Sequence, residues 1–189
     1  HLTNSLAINQ PVSLELGGRY LYVVDRYVGV KVLDVSDPGS PAACGRFDDY
    51  WAGDVILSGS LLCGSDANPF TLVDVSTPTS PTAFGASRAS GDASRESLRD
   101  YNCLSNRTLV PDSDMLCWAD NYYEYYWDLW HARLELMDIS DPSHPALIRE
   151  YGSLFYPIWS VAGSGDLVAA VYDGLYGAQL YSRSGERDH

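Results

Sequence analysis

The sequence predicts an all-β protein, and three observations carry that prediction. Nearly the same ten letters occur three times, as LDVSDPGSPA from Leu33, VDVSTPTSPT from Val73 and MDISDPSHPA from Met137. Short runs rich in valine, leucine and tyrosine precede each copy, a composition typical of strands. Gly, Ser, Asn and Asp separate the runs, and these are turn residues. Four-stranded units of about 40 residues favour the blades of a β-propeller.

The chain divides into four such units, at approximately 11–50, 51–88, 100–152 and 155–185. The fourth unit shows only three strands. We expect the N-terminal segment 2–8 to be a spare strand that completes the last blade and closes the ring, since closure removes exposed sheet edges. The alternative is a partial propeller completed by other chain segments.

The proline-rich turn that recurs in each unit is interpreted as structural. Proline cannot donate a ladder hydrogen bond and therefore ends a strand. Asp and Ser oxygens accept hydrogen bonds from turn amides. The predicted turn residues are Asp34, Asp74, Asp138, Pro38, Pro78 and Pro142. A second set of aspartates, at the end of the second strand of each unit, is aligned as Asp25, Asp66, Asp120 and Asp173 and given the same structural role.

Residues 20–47, YLYVVDRYVGVKVLDVSDPGSPAACGRF, resemble the LVIVD repeat of bacterial and archaeal propeller proteins, most of them secreted or at the cell surface. The resemblance is strong over 12–87 and recognisable over 114–151. It is weaker over 157–184, where Ser182 replaces the motif aspartate. The resemblance implies a β-propeller fold and no catalytic residues, because the repeat is defined by structure.

The composition limits the classes of partner that the protein is expected to bind. The 189 residues are 46% hydrophobic, which suffices for one well-buried core. The net charge is −13 and Lys31 is the only lysine, so no basic patch is predicted for nucleic acid or an anionic membrane surface. No stretch is long and apolar enough to span a bilayer. An acidic surface of this kind mainly keeps a protein soluble.

The cysteines and the first residue are informative about the cellular location of the protein. Four cysteines are present and lack the C-x-x-C spacing of a zinc or redox site. Cys103 and Cys117 flank a predicted hairpin and are candidates for a disulfide, with buried free thiols as the alternative. The chain begins with His1 rather than Met, as expected of a processed chain or a piece of a longer one. These features favour an extracytoplasmic location: periplasmic, secreted or at the cell surface.

Insertions interrupt the regular pattern around the third unit, chiefly at 87–100 and 121–133. The second is predicted to be a loop that lies beside the first. Aromatic residues at such density usually mark contact with a protein partner or with sugar rings, although they can also form a small private core. The predicted partner-binding residues are Tyr122, Tyr123, Tyr125, Tyr126, Trp127 and Trp130.

The sequence contains few residues or motifs that are suited to catalysis. The sequence contains no nucleophile elbow, zinc-protease or dinucleotide motif, and His131 is the only plausible acid–base residue. Residues 112–114, DSD, lack the glycine and glutamate of a calcium loop. We therefore predict no catalytic residue, no metal and no cofactor.

Two functional hypotheses remain. The first is a non-enzymatic extracytoplasmic binding or structural subunit, docked on a membrane-associated or cell-surface protein assembly through the aromatic loop. The rival is a glycan-binding module or hydrolase with its ligand in the propeller mouth. A glycosidase needs two carboxyl groups at a defined separation. The acidic residues available to the rival are Asp92, Asp100, Glu124 and Asp128.

Overall fold

A computed structural model describes residues 8–48, 55–65, 70–87, 106–110, 114–124, 129–153, 156–173 and 177–183. In these residues the chain forms fifteen strands and no helix. The strands build four antiparallel sheets in which each strand pairs with the next along the chain. These sheets are propeller-like blades, so the predicted all-β class is confirmed. Residues 2–7 of the proposed closing strand, 2–8, lie outside the described residues.

The chain divides into two compact units, residues 1–88 and 89–189. The first unit holds sheet one and sheet two, and the second holds sheet three and sheet four. Sheet one comprises β1 (Pro11–Gly17), β2 (Tyr20–Asp25), β3 (Gly29–Asp34) and β4 (Ala42–Phe47). Sheet two comprises β5 (Val55–Ser58), β6 (Leu61–Ser65), β7 (Phe70–Asp74) and β8 (Thr82–Ser87).

Sheet three and sheet four follow the same order. Sheet three comprises β9 (Asn106–Val110), β10 (Met115–Glu124), β11 (Leu129–Asp138) and β12 (Ala146–Ser153). Sheet four comprises β13 (Ile158–Ser164), β14 (Leu167–Tyr172) and β15 (Ala178–Ser182). Three strands is the number that the sequence predicts for the fourth repeat.

Within the first unit, the core lies between the two sheets. Tyr22 and Val32 are cross-strand partners on one face of sheet one. They pack against Leu62 and Val73, cross-strand partners on one face of sheet two. We call the face that carries Tyr22 and Val32 in sheet one the leading face, because it packs against the next sheet along the chain. The face that carries Leu62 and Val73 in sheet two is called the trailing face.

The second unit repeats this packing. Cys117 and Leu136 pair on the leading face of sheet three. They pack against Val168 and Tyr181, which pair on the trailing face of sheet four. Counted back from the last residue of the third strand, all four residues occupy the same register positions as their counterparts in the first unit. The sequence repeat is therefore a repeat of sheet-on-sheet packing, with apolar side chains alternating between the two faces of each strand.

A carboxylate caps the third strand of sheets one, two and three. In each case an aspartate oxygen accepts a hydrogen bond from the backbone amide two residues later, which holds the chain in an Asx turn. The three bonds join Ser36 N to Asp34 Oδ1 at 2.9 Å, Ser76 N to Asp74 Oδ1 at 2.7 Å and Ser140 N to Asp138 Oδ1 at 2.9 Å.

A proline-containing β-turn follows each cap. The turn is closed by a backbone hydrogen bond between its first and fourth residues, and proline occupies the second position, where its fixed φ suits the turn. The closing bonds run from Ser40 N to Asp37 O, from Ser80 N to Thr77 O and from His144 N to Asp141 O, at 2.9, 2.8 and 3.0 Å. The second-position prolines are Pro38, Pro78 and Pro142.

The outer strands each contain a β-bulge next to the capped end. In sheet one, Val32 pairs with Gly45 and Leu33 pairs with Ala43, so Cys44 is the extra residue. In sheet three the extra residue is Ile148. Both side chains pack against the core of their unit. The bulge therefore adds an apolar contact that regular alternation would not provide.

Asp25 is fully buried at the end of β2, and its partners explain how a carboxylate is tolerated there. Its Oδ1 accepts from the Tyr27 amide at 3.2 Å, and its Oδ2 accepts from Lys31 Nζ at 3.2 Å. Burial raises the pKa of the Asp25 carboxyl, but the hydrogen bonds from Tyr27 and Lys31 outweigh burial and lower it overall. The single lysine of the chain thus has a structural role.

The alignment of Asp173 with Asp25 is wrong by one residue. Asp25 pairs with Gly29, whereas in sheet four the amide of Tyr172 donates to Gly177 O at 2.9 Å. Gly29 and Gly177 both have positive φ, at 97° and 56°. Tyr172 therefore occupies the position of Asp25, and Asp173 lies beyond it. The sequence pattern cannot show this, because only cross-strand pairing sets the register.

We predict that Gly45→Ala destabilises the protein. A Cβ at this position would lie 2.2 Å from Pro78 O and 3.1 Å from Thr79 Cα, both backbone atoms of the next turn. Relieving that overlap should lower the free energy of unfolding by about 1–3 kcal/mol. Gly152→Ala is the control, because a Cβ there meets nothing within 4 Å. Equal urea midpoints for the two variants would contradict the prediction.

Candidate functional site

The aromatic insertion lengthens the hairpin between β10 and β11. These strands have ten residues each, compared with six each for β2 and β3 in sheet one. Asp120 pairs with Arg133 at the position where Asp25 pairs with Gly29, and there the first-sheet hairpin turns. In sheet three the pairing continues. We call residues 121–133 the aromatic hairpin.

Four further pairs extend the aromatic hairpin by roughly 13 Å, at about 3.3 Å for each residue. They are Asn121 with Ala132, Tyr122 with His131, Tyr123 with Trp130 and Glu124 with Leu129. The prediction of a loop throughout 121–133 is therefore wrong, because both ends of the segment are strand. Aromatic residues opposite one another favour strand pairing, which accounts for the difference.

The six predicted contact residues are only partly placed. Tyr122 and Tyr123 lie on β10, and Trp130 lies on β11. The other three predicted contact residues, Tyr125, Tyr126 and Trp127, lie outside the described residues, as do residues 88–100 of the first insertion. Their role in partner contact stays a prediction.

Asn121 fixes the base of the aromatic hairpin to sheet four. Its Nδ2 donates to Ile158 O at 2.8 Å, and its Oδ1 accepts from Ile158 N at 2.7 Å. Both residues are buried. The side-chain amide thereby takes the place of a neighbouring strand for one residue of β13. Nothing in the sequence identified Asn121, because its importance depends on a partner 37 residues away.

Arg133 fixes the other strand at the same level. Its Nη1 lies 3.3 Å from Oε1 of Glu135 on the same strand and 3.5 Å from Oε2 of Glu150 on β12. Glu135 is almost fully buried, so the guanidinium supplies the charge that a buried carboxylate requires. The aromatic hairpin consequently begins from a base held by hydrogen bonds and ion pairs on both strands.

The cysteines of the described residues are not arranged for chemistry. Cys44 and Cys117 are free thiols, and Cys63 and Cys117 are fully buried. Burial raises the pKa of the Cys117 thiol to about 12, which suppresses the reactive thiolate. Cys103, the predicted disulfide partner of Cys117, lies outside the described residues, and Cys117 is a free thiol in this structure.

The described part of the chain contains neither a metal-binding cluster nor a membrane-spanning helix. There, no group of three or more His, Cys, Asp or Glu side chains is placed to hold a metal ion. The same residues contain no helix that is long and apolar enough to span a membrane. Three of the acidic residues available to a glycosidase (Asp92, Asp100 and Asp128) lie outside the described ranges.

The pKa values of the capping aspartates Asp34 and Asp74 are lowered by different neighbours. Arg19 Nε donates to Asp34 Oδ2 at 3.1 Å, and the guanidinium forms an ion pair with the same oxygen. The hydrogen bond from Arg19, together with those from Ser36, lowers the pKa of Asp34 to about 2. At Asp74 the hydrogen bonds from Ser76 lower the pKa from its usual 3.8 without a contribution from arginine.

Comparison with known proteins settles the family. The LVIVD repeat matches residues 12–49, 51–86 and 128–152, which together make up more than half of the chain. This chain belongs to the LVIVD repeat family. The resemblance seen in the sequence is thereby confirmed. The third match begins inside the aromatic hairpin, and residues 87–127 fall between the LVIVD matches.

Solved structures show the same fold at low identity. The computationally designed Ika8 protein is 9% identical, with a TM-score of 0.63; the match covers 94% of this chain and 47% of that one. The LVIVD chain thus spans about half the length of Ika8. The designed Ika4 protein is also 9% identical, with a TM-score of 0.62 and coverage of 96% and 97%. No curated protein matches the chain.

We predict that Asn121→Ala loosens the aromatic hairpin and destabilises the second unit. Removing the amide leaves the buried N–H and C=O of Ile158 without their partners, at a combined cost of about 2–4 kcal/mol. Exposed Asn9→Ala is the control. Hydrogen exchange would report faster exchange at the Ile158 amide only in Asn121→Ala. Unchanged exchange there would argue against the clamp.

We predict that Asp34→Asn weakens the fold above pH 4 and that the loss fades in acid. The folded pKa of Asp34, about 2, lies below its usual 3.8. The carboxylate therefore adds stability that is complete above pH 3.8 and is lost as pH falls through 2. Asparagine keeps an oxygen for the Asx turn but removes the charge. Asp74→Asn is the matched control, with a smaller expected effect on the urea midpoint. A pH-independent difference for Asp34→Asn would refute this account.

Proposed function

We propose that this LVIVD-repeat chain is a non-enzymatic binding or structural subunit, and that the aromatic hairpin is its contact with a protein partner. The observation that carries the proposal is the four-pair extension of β10 and β11 on a fixed base. The repeated sheets supply the scaffold. The hairpin is the place where the chain departs from its own repeat, and repeat proteins commonly place function in such departures.

The pairing pattern supports a contact role. β9 pairs with β10 up to Ala119, and β12 pairs with β11 from Ala132. Among the described residues, the pairs from Tyr122–His131 to Glu124–Leu129 therefore form a two-stranded ribbon. Two-stranded ribbons are marginally stable in water unless something packs on them. A partner surface would supply that packing.

The composition of the ribbon fits an interface. Tyrosine and tryptophan are the residues most enriched among the energetic centres of protein interfaces. Because Asn121 and Arg133 hold the base of the hairpin, less of its backbone has to become ordered on binding, which favours affinity. The proposed setting is extracytoplasmic, on a membrane-associated or cell-surface assembly, in keeping with the LVIVD resemblance.

We predict that Trp127→Ala and Tyr126→Ala each abolish association while the fold is retained. The control is Tyr27→Ala, because Tyr27 is 64% exposed in the first-sheet turn that corresponds to the aromatic hairpin. Native mass spectrometry after gentle purification from the source is the measurement. We expect a mass above the 20.8 kDa of the chain that includes a second kind of polypeptide.

Two results would count against the proposal. One is association unchanged in both hairpin variants. The other is a rise in the thermal midpoint with calcium or oligosaccharides, since a ligand that binds only the folded state raises that midpoint. The second result would favour a glycan-binding or hydrolytic role instead.

A further inference from the structure

The strand β15 is held differently from the third strands of the other sheets. In sheets one, two and three, the third strand pairs with an outer fourth strand. Among the described residues, β15 pairs with β14 alone. A strand at the edge of a sheet has hydrogen-bonded neighbours on one side only, so side-chain contacts contribute more to its position.

Arg183, the residue that follows β15, departs from the repeat at this point. Its amide donates to Asp166 O at 3.0 Å, as the amides of Val75 and Ile139 donate to the corresponding carbonyls of sheets two and three. Val75 and Ile139 are buried and apolar, and Val75 packs into the core of the first unit. Sheet four therefore has a charged side chain where sheet two has an apolar contact.

The partner of Arg183 is the capping aspartate of sheet three. Arg183 Nη2 donates to Asp138 Oδ2 at 3.2 Å, while Asp138 Oδ1 accepts from the Ser140 amide at 2.9 Å. One carboxylate thus closes its own turn and binds the end of the next sheet. In sheet one, Asp34 Oδ2 is bound instead by Arg19, from the hairpin turn of the same sheet.

The residue at the position of Arg19 accounts for this difference. In sheet three that position is occupied by Asp114, because Arg19 O and Asp114 O each accept a hydrogen bond at 2.8 Å from the residue that follows the capping aspartate. An aspartate there cannot neutralise Asp138. The guanidinium comes from the next sheet along the chain, so the ion pair of Asp138 joins two sheets instead of two parts of one sheet.

A second contact joins the same end of β15 to sheet three. The hydroxyl of Tyr151, on β12, donates to Ser182 O at 3.4 Å. The ring centroids of Tyr151 and Tyr181 are 4.4 Å apart, and Tyr181 is buried in the core of the second unit. The C-terminal end of β15 is thus fixed to sheet three by an aromatic contact and by an ion pair.

We propose that Arg183 is a latch that holds β15 on sheet three through Asp138, and that salt releases this latch. The two side chains are 41% and 32% exposed, so dissolved ions screen their attraction. Release frees β15 while β10 and β11 stay paired, because each of these has a hydrogen-bonded strand on both sides. Local opening of this kind costs less free energy than global unfolding.

Amide hydrogen exchange of the purified chain, in low and in high sodium chloride, tests the latch. The Tyr181 amide is the probe, because alternate residues of β15 direct their amides to β14 and Arg183 is one of them. In low salt we expect this amide to exchange about two- to fivefold faster in Arg183→Ala than in the wild type. High salt should bring the wild type close to the rate of the variant and change the variant little.

Two further variants separate the ion pair from other effects. Asp138→Asn should give a similar increase at Tyr181, because asparagine keeps an oxygen for the turn but carries no charge. Combined with Arg183→Ala it should add nothing, since both substitutions remove one contact. Arg19→Ala is the matched control. It removes an ion pair within one sheet, so exchange at Val73, the counterpart of Tyr181 in sheet two, should not change.

Three results would overturn the proposal. Unchanged exchange at Tyr181 in Arg183→Ala, or effects of the two substitutions that multiply, would mean that packing without the ion pair holds β15. Equal acceleration in β10, β11 and β15 would mean that the ion pair stabilises the whole second unit and is not a latch. The outcome is independent of the proposed partner contact, because neither Arg183 nor Asp138 belongs to the aromatic hairpin.

Discussion

Burial of a central strand on both faces is the constraint on which the first sheet depends. Tyr22, Val23, Val24 and Asp25 are consecutive residues of β2, and all four are buried although their side chains alternate between faces. A sheet with two apolar faces must be covered on both, unlike an antiparallel sheet with one solvated side. Within each compact unit, two sheets therefore stack leading face on trailing face, and the repeat in sequence records that stacking.

The turns fix the register of the outer strand in each sheet that has one. An aspartate cap, a proline turn and a bulge recur at the same place, so each outer strand starts at the same depth relative to its neighbours. Gly45 shows how close the fit is, because the Pro78 turn of the next sheet occupies the space of its missing side chain. A rigid connector is required here, since a shift of one residue would turn every apolar side chain to the wrong face.

Sheet three combines the regular sheet-on-sheet packing with the main departure from it, the aromatic hairpin. Its core residues Cys117 and Leu136 behave like those of the other sheets, while the same two strands run on into the aromatic hairpin. Asn121 stands at the junction and bonds to the neighbouring sheet. The scaffold and the proposed contact surface are thus parts of one continuous pair of strands, which explains how the base of the ribbon is held in a fixed position.

Local chemistry was sufficient to predict the all-β class, the four units and the turns at Asp34, Asp74 and Asp138, because alternation, proline and Asx chemistry act within a few residues. Local chemistry could not predict how the strands pair. That pairing placed Tyr172 rather than Asp173 beside Gly177, made the ends of the predicted aromatic loop strands and gave Asn121 its partner. The exposure of Leu14 and the burial of Val55 make the same point, since the two residues occupy equivalent positions and differ only in what packs against them. That neighbour is a property of the assembled sheets, and no local pattern encodes it.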